Sequence, residues 1–258
     1  MLPILLIQTR ADDDVAANEL EAVTRLGGFR PGELVPMRLE QRAGRETLDW
    51  DAVLDAHSGV ILGGSPFTTT DPQESKEPLQ VAVELELGRM LDALVPRDHP
   101  FLGACYGIST LGIHEGGTVD RTYGEPASAV EIALTAEGRE DPLLAGLPER
   151  FEAFVGHKEA MSALPPDAVL LARGEACPHQ MFRIGRNMYA TQFHPELDTD
   201  GLLYRMEKYR DKGYFEPDEF DSIAREVRRA DVSSACAVLA AFRERFLRSA
   251  PGRRPLGG

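Results

Sequence analysis

The sequence predicts an α/β fold: a doubly wound, mostly parallel sheet with helices on both faces and a helical C-terminal segment. Three observations predict it. Short apolar runs alternate with stretches whose apolar residues recur every three or four positions, the alternation that builds parallel sheets. The chain has 258 residues, a length that suits one large α/β domain. Three groupings rich in chemistry, Gly63-Gly64-Ser65, Cys105 and His194, each follow an apolar run. In open α/β sheets functional groups gather beyond the carboxyl ends of the strands.

The elements follow in order. Residues 1–8 contain Pro-Ile-Leu-Leu-Ile-Gln, a continuous run suited to a strand buried on both faces. Three aspartates at 12–14 offer caps for a helix whose stripe is Ala16, Leu20, Val23 and Leu26, and Gly27-Gly28 ends it. Residues 34–39 fit a second strand, and Val60, Ile61 and Leu62 a third that runs into Gly63-Gly64-Ser65-Pro66. Residues 68–78 read as a polar loop. Residues 79–95 fit two patterns. Leu79, Val81, Val83, Leu85 and Leu87 alternate as in a strand, while Val83, Leu87, Met90, Leu91 and Leu94 form a helical stripe; length and Glu, Leu and Ala content favour the helix. Pro100-Phe101-Leu102-Gly103 is the next strand, and Cys105 opens a turn and a helix to about residue 113. Residues 116–156 read as strands and turns. Residues 169–172, 181–184 and 189–193 are three more strands separated by Gly, Pro and Arg-Asn turn signals. Ala235, Val238, Leu239, Phe242 and Phe246 give a late helix one apolar face. Residues 249–258, rich in Gly, Pro and Arg, predict a flexible tail after a single domain over 1–248.

Composition narrows the function. Lys and Arg number 28 against 42 Asp and Glu, a net charge of −14. So acidic a chain repels phosphate backbones and anionic surfaces, which argues against nucleic-acid and membrane partners. The opening apolar run is too short to span a bilayer and lacks the pattern of a secretory signal. Three cysteines, Cys105, Cys177 and Cys236, are too few and scattered for a disulfide framework or a four-thiolate zinc site. The expectation is a soluble, reduced, cytoplasmic protein in which a lone cysteine can serve as nucleophile.

Gly103-Ala104-Cys105-Tyr106-Gly107 has the G-x-C-x-G form of a nucleophile elbow. Such a turn pushes the side chain out of the sheet, sets the sulfur at a helix N-terminus and aims the Tyr106 N–H at an oxyanion. The same residues also suit a buried cysteine before a helix. A thiol attacking an amide needs a base, and the base needs an orienting acceptor. His194-Pro195-Glu196 supplies both types after a strand, although a surface histidine beside a solvated glutamate fits that triplet as well. Gly63-Gly64-Ser65-Pro66 offers backbone N–H groups for the other half of an oxyanion hole, or simply a turn; it lacks the Lys-Ser/Thr ending of a phosphate loop.

Together these segments resemble the class I, triad-type glutamine amidotransferases, which join a Gly-rich oxyanion strand, a G-x-C-x-G elbow and a late H-P-E on one flavodoxin-like sheet. Val155-Gly156-His157-Lys158-Glu159, Leu164-Pro165-Pro166-Asp167-Ala168, Cys177-Pro178-His179-Gln180-Met181-Phe182 and residues 189–196 are similar to the amidotransferase domain of GMP synthase and its free-standing relatives. The resemblance covers about residues 61–196. It implies Cys105 as nucleophile, His194 as base and then acid, and Glu196 as orienter, with backbone donors at Tyr106 and at Gly64 or Ser65. Gly63, Ser109 and His157 are its candidate substrate-binding residues. It implies no cofactor and no metal, and glutamine or a γ-glutamyl compound as substrate. Since the chain has no room for an ATP-using domain of its own, either ammonia would pass to a synthetase or other acceptor protein, or the reaction would end as hydrolysis or γ-glutamyl transfer. Two departures stand out. The family usually has Gln where this chain has Ser109, and Gly-Gly-Pro where this chain has Gly-Gly-Ser-Pro. The rival readings are a γ-glutamyl peptidase or hydrolase, and a non-catalytic binding or regulatory module on the same fold. Cys177 and Cys236 read as small buried hydrophobes. His57, His99, His114 and His179 lack metal-ligand spacing. Glu216, Asp218, Glu219 and Asp221 read as a solvated helix start.

Overall fold

The computed structural model describes residues 2–210 and 219–247. The expected tail at 249–258, and Glu216 and Asp218 of the acidic cluster, lie outside the described residues.

Strand β1 (Ile4–Gln8) is buried along its whole length, as a continuous apolar run requires. Helix α1 (Asp13–Leu26) starts where Asp12 accepts a hydrogen bond from the Val15 N–H at 3.1 Å, and it stops before Gly28, which has φ +66°. Strand β2 (Leu34–Arg38) exposes Val35 and Pro36, and it is an edge strand, where proline is tolerated. Two short helices, α2 (Leu39–Arg42) and α3 (Trp50–Asp55), precede β3 (Gly59–Leu62). Helix α4 (Pro78–Leu94) settles the ambiguous stretch. Val83, Leu87, Met90, Leu91 and Leu94 are buried, while Leu85 of the alternating set is 65% exposed.

Strand β4 (Phe101–Ala104) leads through Cys105 into α5 (Tyr106–His114). Next come β5 (Thr118–Asp120), β6 (Glu125–Leu134), α6 (Ala136–Glu140), β7 (Arg150–His157) and β8 (Ala160–Ala163). Strands β9 (Val169–Arg173), β10 (Met181–Ile184) and β11 (Met188–Thr191) complete the sheet. Helices α7 (Thr199–Lys208), α8 (Phe220–Val227) and α9 (Ser233–Phe246) close the described chain. Glu219 and Asp221 do stand at the start of a helix, α8.

The main sheet is mixed, in the order β2-β1-β3-β4-β11-β10-β9-β6-β7. Its core, β2 to β11, is parallel, and β10, β9, β6 and β7 continue it antiparallel. Strands β5 and β8 pair separately. The two faces carry separate cores. Leu5, Ile7 and Leu62 pack with α4 and α5 on one face; Ile4, Leu6 and Ile61 pack with α9 on the other. Successive residues of one strand thus feed opposite cores, which makes the fold doubly wound. A third cluster joins Leu202 and Met206 of α7 and Val227 of α8 to Ala127 and Phe154. Among the described residues, no helix is long and apolar enough to cross a membrane.

The register places the site. Leu62 pairs with Gly103, and Ala104 pairs with Thr191. Gly63, Cys105 and Gln192 therefore leave three neighbouring parallel strands at the same rim.

Candidate active site

Cys105 has φ +51°, a region that side chains other than glycine seldom adopt. Such a backbone typically costs about 1–3 kcal/mol, supplied by its surroundings. Here the Cys105 N–H donates to the Thr191 carbonyl at 2.7 Å, tying the turn to β11. The flanking glycines let α5 approach the sheet. A Cβ on Gly103 would lie 2.8 Å from the Gly107 carbonyl carbon, and one on Gly107 would lie 3.4 Å from the Leu62 oxygen. The resulting elbow leaves Cys105 half-buried at the start of α5.

His194 is buried, and its N–H on the main chain donates to the Phe154 carbonyl at 2.9 Å. Its Nδ1 lies 2.8 Å from Oε1 of Glu196. Burial alone would depress the imidazole; the Glu196 carboxylate and then the Cys105 sulfur overcome it, and the pKa rises to about 9. Cys105 and His194 line the same pocket. Burial pushes Glu196 up, but His194 and Arg205 outweigh it and hold the carboxyl well below the ordinary range.

The carboxylate has a second partner. Nη1 of Arg205 on α7 donates to Oε1 of Glu196 at 3.0 Å, and Nη2 lies 3.7 Å from Glu19 on α1. Glu19, fully buried, accepts from Nε of Arg10 at 3.1 Å, and Nη1 of Arg10 reaches the Tyr209 hydroxyl at 3.0 Å. Two arginines thus alternate with two carboxylates behind the histidine, a pattern in which every buried charge has an opposite neighbour. Sequence reasoning missed Arg10, Glu19 and Arg205. A usable signal exists for two of them. Glu19 shares the buried face of α1 with Val15, Ala16, Ala22 and Val23, and Arg205 lies beside Leu202 and Met206 on the buried face of α7. A charged residue in an apolar stripe marks a buried ion pair. Arg10 carries no such mark.

The glycine-rich segment packs against this assembly. A Cβ on Gly63 would come within 2.5 Å of Glu19, and one on Gly64 within 2.9 Å of Arg10 Nη2 and 3.2 Å of His194 Cε1. Gly63 thus faces Glu19 and lines neither of the two pockets at Cys105. Ser65 lines both pockets, together with Cys105 and Gly156. One is walled by Tyr106, Ser109, His157, Lys158 and Glu159; the other contains His194, Arg10 and Arg205. Glu159 accepts from the N–H groups of Thr69 at 2.8 Å and Thr70 at 2.9 Å, which fixes the loop after β3.

His157 is held in a second buried grouping of triad-type residues. Its Nε2 is 2.9 Å from Glu125, Gln180 Nε2 donates to Glu125 at 2.7 Å, and the ligand atoms of Glu125, His157 and Cys177 all lie within 4.8 Å of one another. Burial pushes the Cys177 thiol up to about 12. Cys236 is likewise buried and pushed up to about 12. Neither lines either of these two pockets, whereas Cys105 lines both.

The family profile described as glutamine amidotransferase class-I matches residues 38–201. The chain belongs to the class-I glutamine amidotransferase family. A GMP synthase (glutamine-hydrolyzing) from Thermomicrobium roseum is 33% identical over 154 residues, 58% of this chain and 25% of that protein. The chain spans about a quarter of the length of the curated relatives it matches. Two solved structures share the amidotransferase fold. A glutamine amidotransferase from Thermotoga maritima superposes with a TM-score of 0.73 at 20% identity, covering 96% of this chain and 99% of that one. A glutamine amidotransferase from Methylobacillus flagellatus gives 0.72 at 19% identity over 98% of this chain and 98% of that one.

Proposed function

We propose that the protein is a Cys-dependent glutaminase that hydrolyses a γ-glutamyl amide through a thioester on Cys105. One observation carries the reading. A half-buried cysteine at a positive-φ elbow shares a pocket with a buried histidine whose other nitrogen is held by a carboxylate. Cys177 is the poorer candidate, because burial disfavours its thiolate.

The Cys105 sulfur adds to the amide carbonyl carbon, and its proton passes to His194. Backbone N–H groups of Tyr106 and of Gly64 or Ser65 stabilise the tetrahedral oxyanion; Ser65, which lines both pockets, is the better placed second donor. His194 gives the proton to the leaving nitrogen, the C–N bond breaks and a γ-glutamyl thioester remains. His194 then takes a proton from water, which attacks the thioester and releases glutamate. Glu196 fixes the imidazole and stabilises its charged form. Ser109 and His157, on the polar pocket, are proposed to hold the acyl part, with Gly63 shaping the rim. Strands from residue 4 onward and helix α9 share one core, which supports a single domain over 1–248. The reading places the enzyme in the reducing cytoplasm, with ammonia released or passed to an acceptor protein.

Cys105→Ala tests it. Ammonia release from glutamine should fall to background while the circular dichroism spectrum is retained. Full activity in that variant would remove Cys105 from the mechanism.

A further inference from the structure

The two pockets that meet at Cys105 differ in chemistry. The polar one, on the α5 side, is walled by Ser109, Lys158 and Glu159 and suits the charged α-amino acid end of a γ-glutamyl group. The other, beneath α7, presents Ala127, Val155, Leu197, Leu202 and Met206, beside Arg10 and Arg205, whose guanidinium groups are engaged by Glu19, Tyr209 and Glu196. His194 lines only this apolar pocket. The group that protonates a leaving nitrogen must face it, so the nitrogen departs on the apolar side and the acyl group stays on the polar side.

Ammonia gains nothing from five apolar side chains. An amine with an apolar substituent buries that substituent against them. We propose that the preferred substrates are γ-glutamyl amides whose amine carries a compact apolar group, seated against Leu202 and Met206 of α7. The proposal rests on Cys105 as nucleophile. The Cys105–carbonyl bond forms and the C–N bond breaks. The amine leaves with the proton from His194, and water returns the acyl group as glutamate. The amine can be a simple alkylamine or an apolar amino acid.

The experiment measures kcat/KM for glutamine, for the γ-glutamyl methyl-, ethyl- and isobutylamides, and for γ-glutamylglycine and γ-glutamylleucine. The expected result is a rise of about fourfold per added methylene until the pocket is filled, with isobutylamide at least about tenfold above glutamine. γ-Glutamylleucine outrunning the isobutylamide assigns the site to dipeptides; the reverse assigns it to alkylamides. Met206→Asp should lower the isobutylamide-to-glutamine ratio about tenfold. If that variant does not fold, the wild-type series decides alone. Glutamine hydrolysed best, with a flat or falling alkyl series, overturns the proposal and leaves Cys105 standing as nucleophile. Cleavage that survives Cys105→Ala strikes instead at the reading beneath it and takes the proposal with it.

Discussion

Cys105 is held where a glycine would sit more easily, and the site follows from that exchange. The positive φ lifts the sulfur out of β4, and the N–H bond to Thr191 fixes it against the strand that delivers His194. Exposure separates it from the other thiols, since Cys177 and Cys236 are buried. A glutamine-like diazo-ketone should therefore alkylate Cys105 and spare Cys177 and Cys236, read by peptide mass spectrometry; equal labelling of Cys177 would contradict the assignment. The imidazole is tuned by its neighbours. Burial lowers its pKa, and Glu196 and Cys105 raise it to about 9. Glu196→Gln should therefore lower the His194 pKa, followed by NMR titration, and cut kcat by about 100- to 10,000-fold. An unmoved titration would mean that the carboxylate does not set the ring's charge. G-x-C-x-G and H-P-E were legible because their chemistry is local to a few residues. The side chain facing Gly63 is Glu19, a residue on another element that no local pattern points to.

At the scale of elements, α7 carries part of the proposed active site without supplying a reacting group. Arg205 reaches from it to Glu196, and Leu202 and Met206 wall the apolar pocket. Arg205→Met should leave Glu196 with one charged partner and a less fixed carboxylate. The expected outcome is a drop in kcat larger than the change in KM, a shifted pH profile, and partial rescue in Arg205→Lys; a variant with the wild-type pH profile would make Arg205 purely structural. Helix α4 shows how far patterns reach. Its sequence alternates like a strand over residues 79–87, and only the longer stripe through Leu94 reveals the helix. A two-residue and a 3.6-residue period overlap in so apolar a segment, and length decides between them. The short helices α2, α3 and α6 went unread because four to six residues hold barely more than one turn of pattern.

For the whole molecule, pH couples the site to stability. The folded His194 pKa is raised from 6.5 to about 9, so its pairing stabilises fully below about 6.5 and fades as pH climbs through about 9. Glu196 is lowered from 4.5, so its contribution is present above about 4.5 and fades as pH falls through the depressed value. The stability difference between wild type and His194→Gln/Glu196→Gln, from urea unfolding, should be largest between about pH 4.5 and 6.5. A difference independent of pH would show that the pair does not form. By itself the sequence determined the alternation of strands and helices, the G-x-C-x-G and H-P-E segments and the resemblance to the class I amidotransferases, because periodicity, turn chemistry and short motifs are written in neighbouring positions. Only the tertiary structure decided the antiparallel half of the sheet, the chain of buried charges from Arg10 to Glu196 and the two unlike pockets at one sulfur. Each of these joins residues distant in the chain, and such partners meet only once strand order and register have brought them to the same rim.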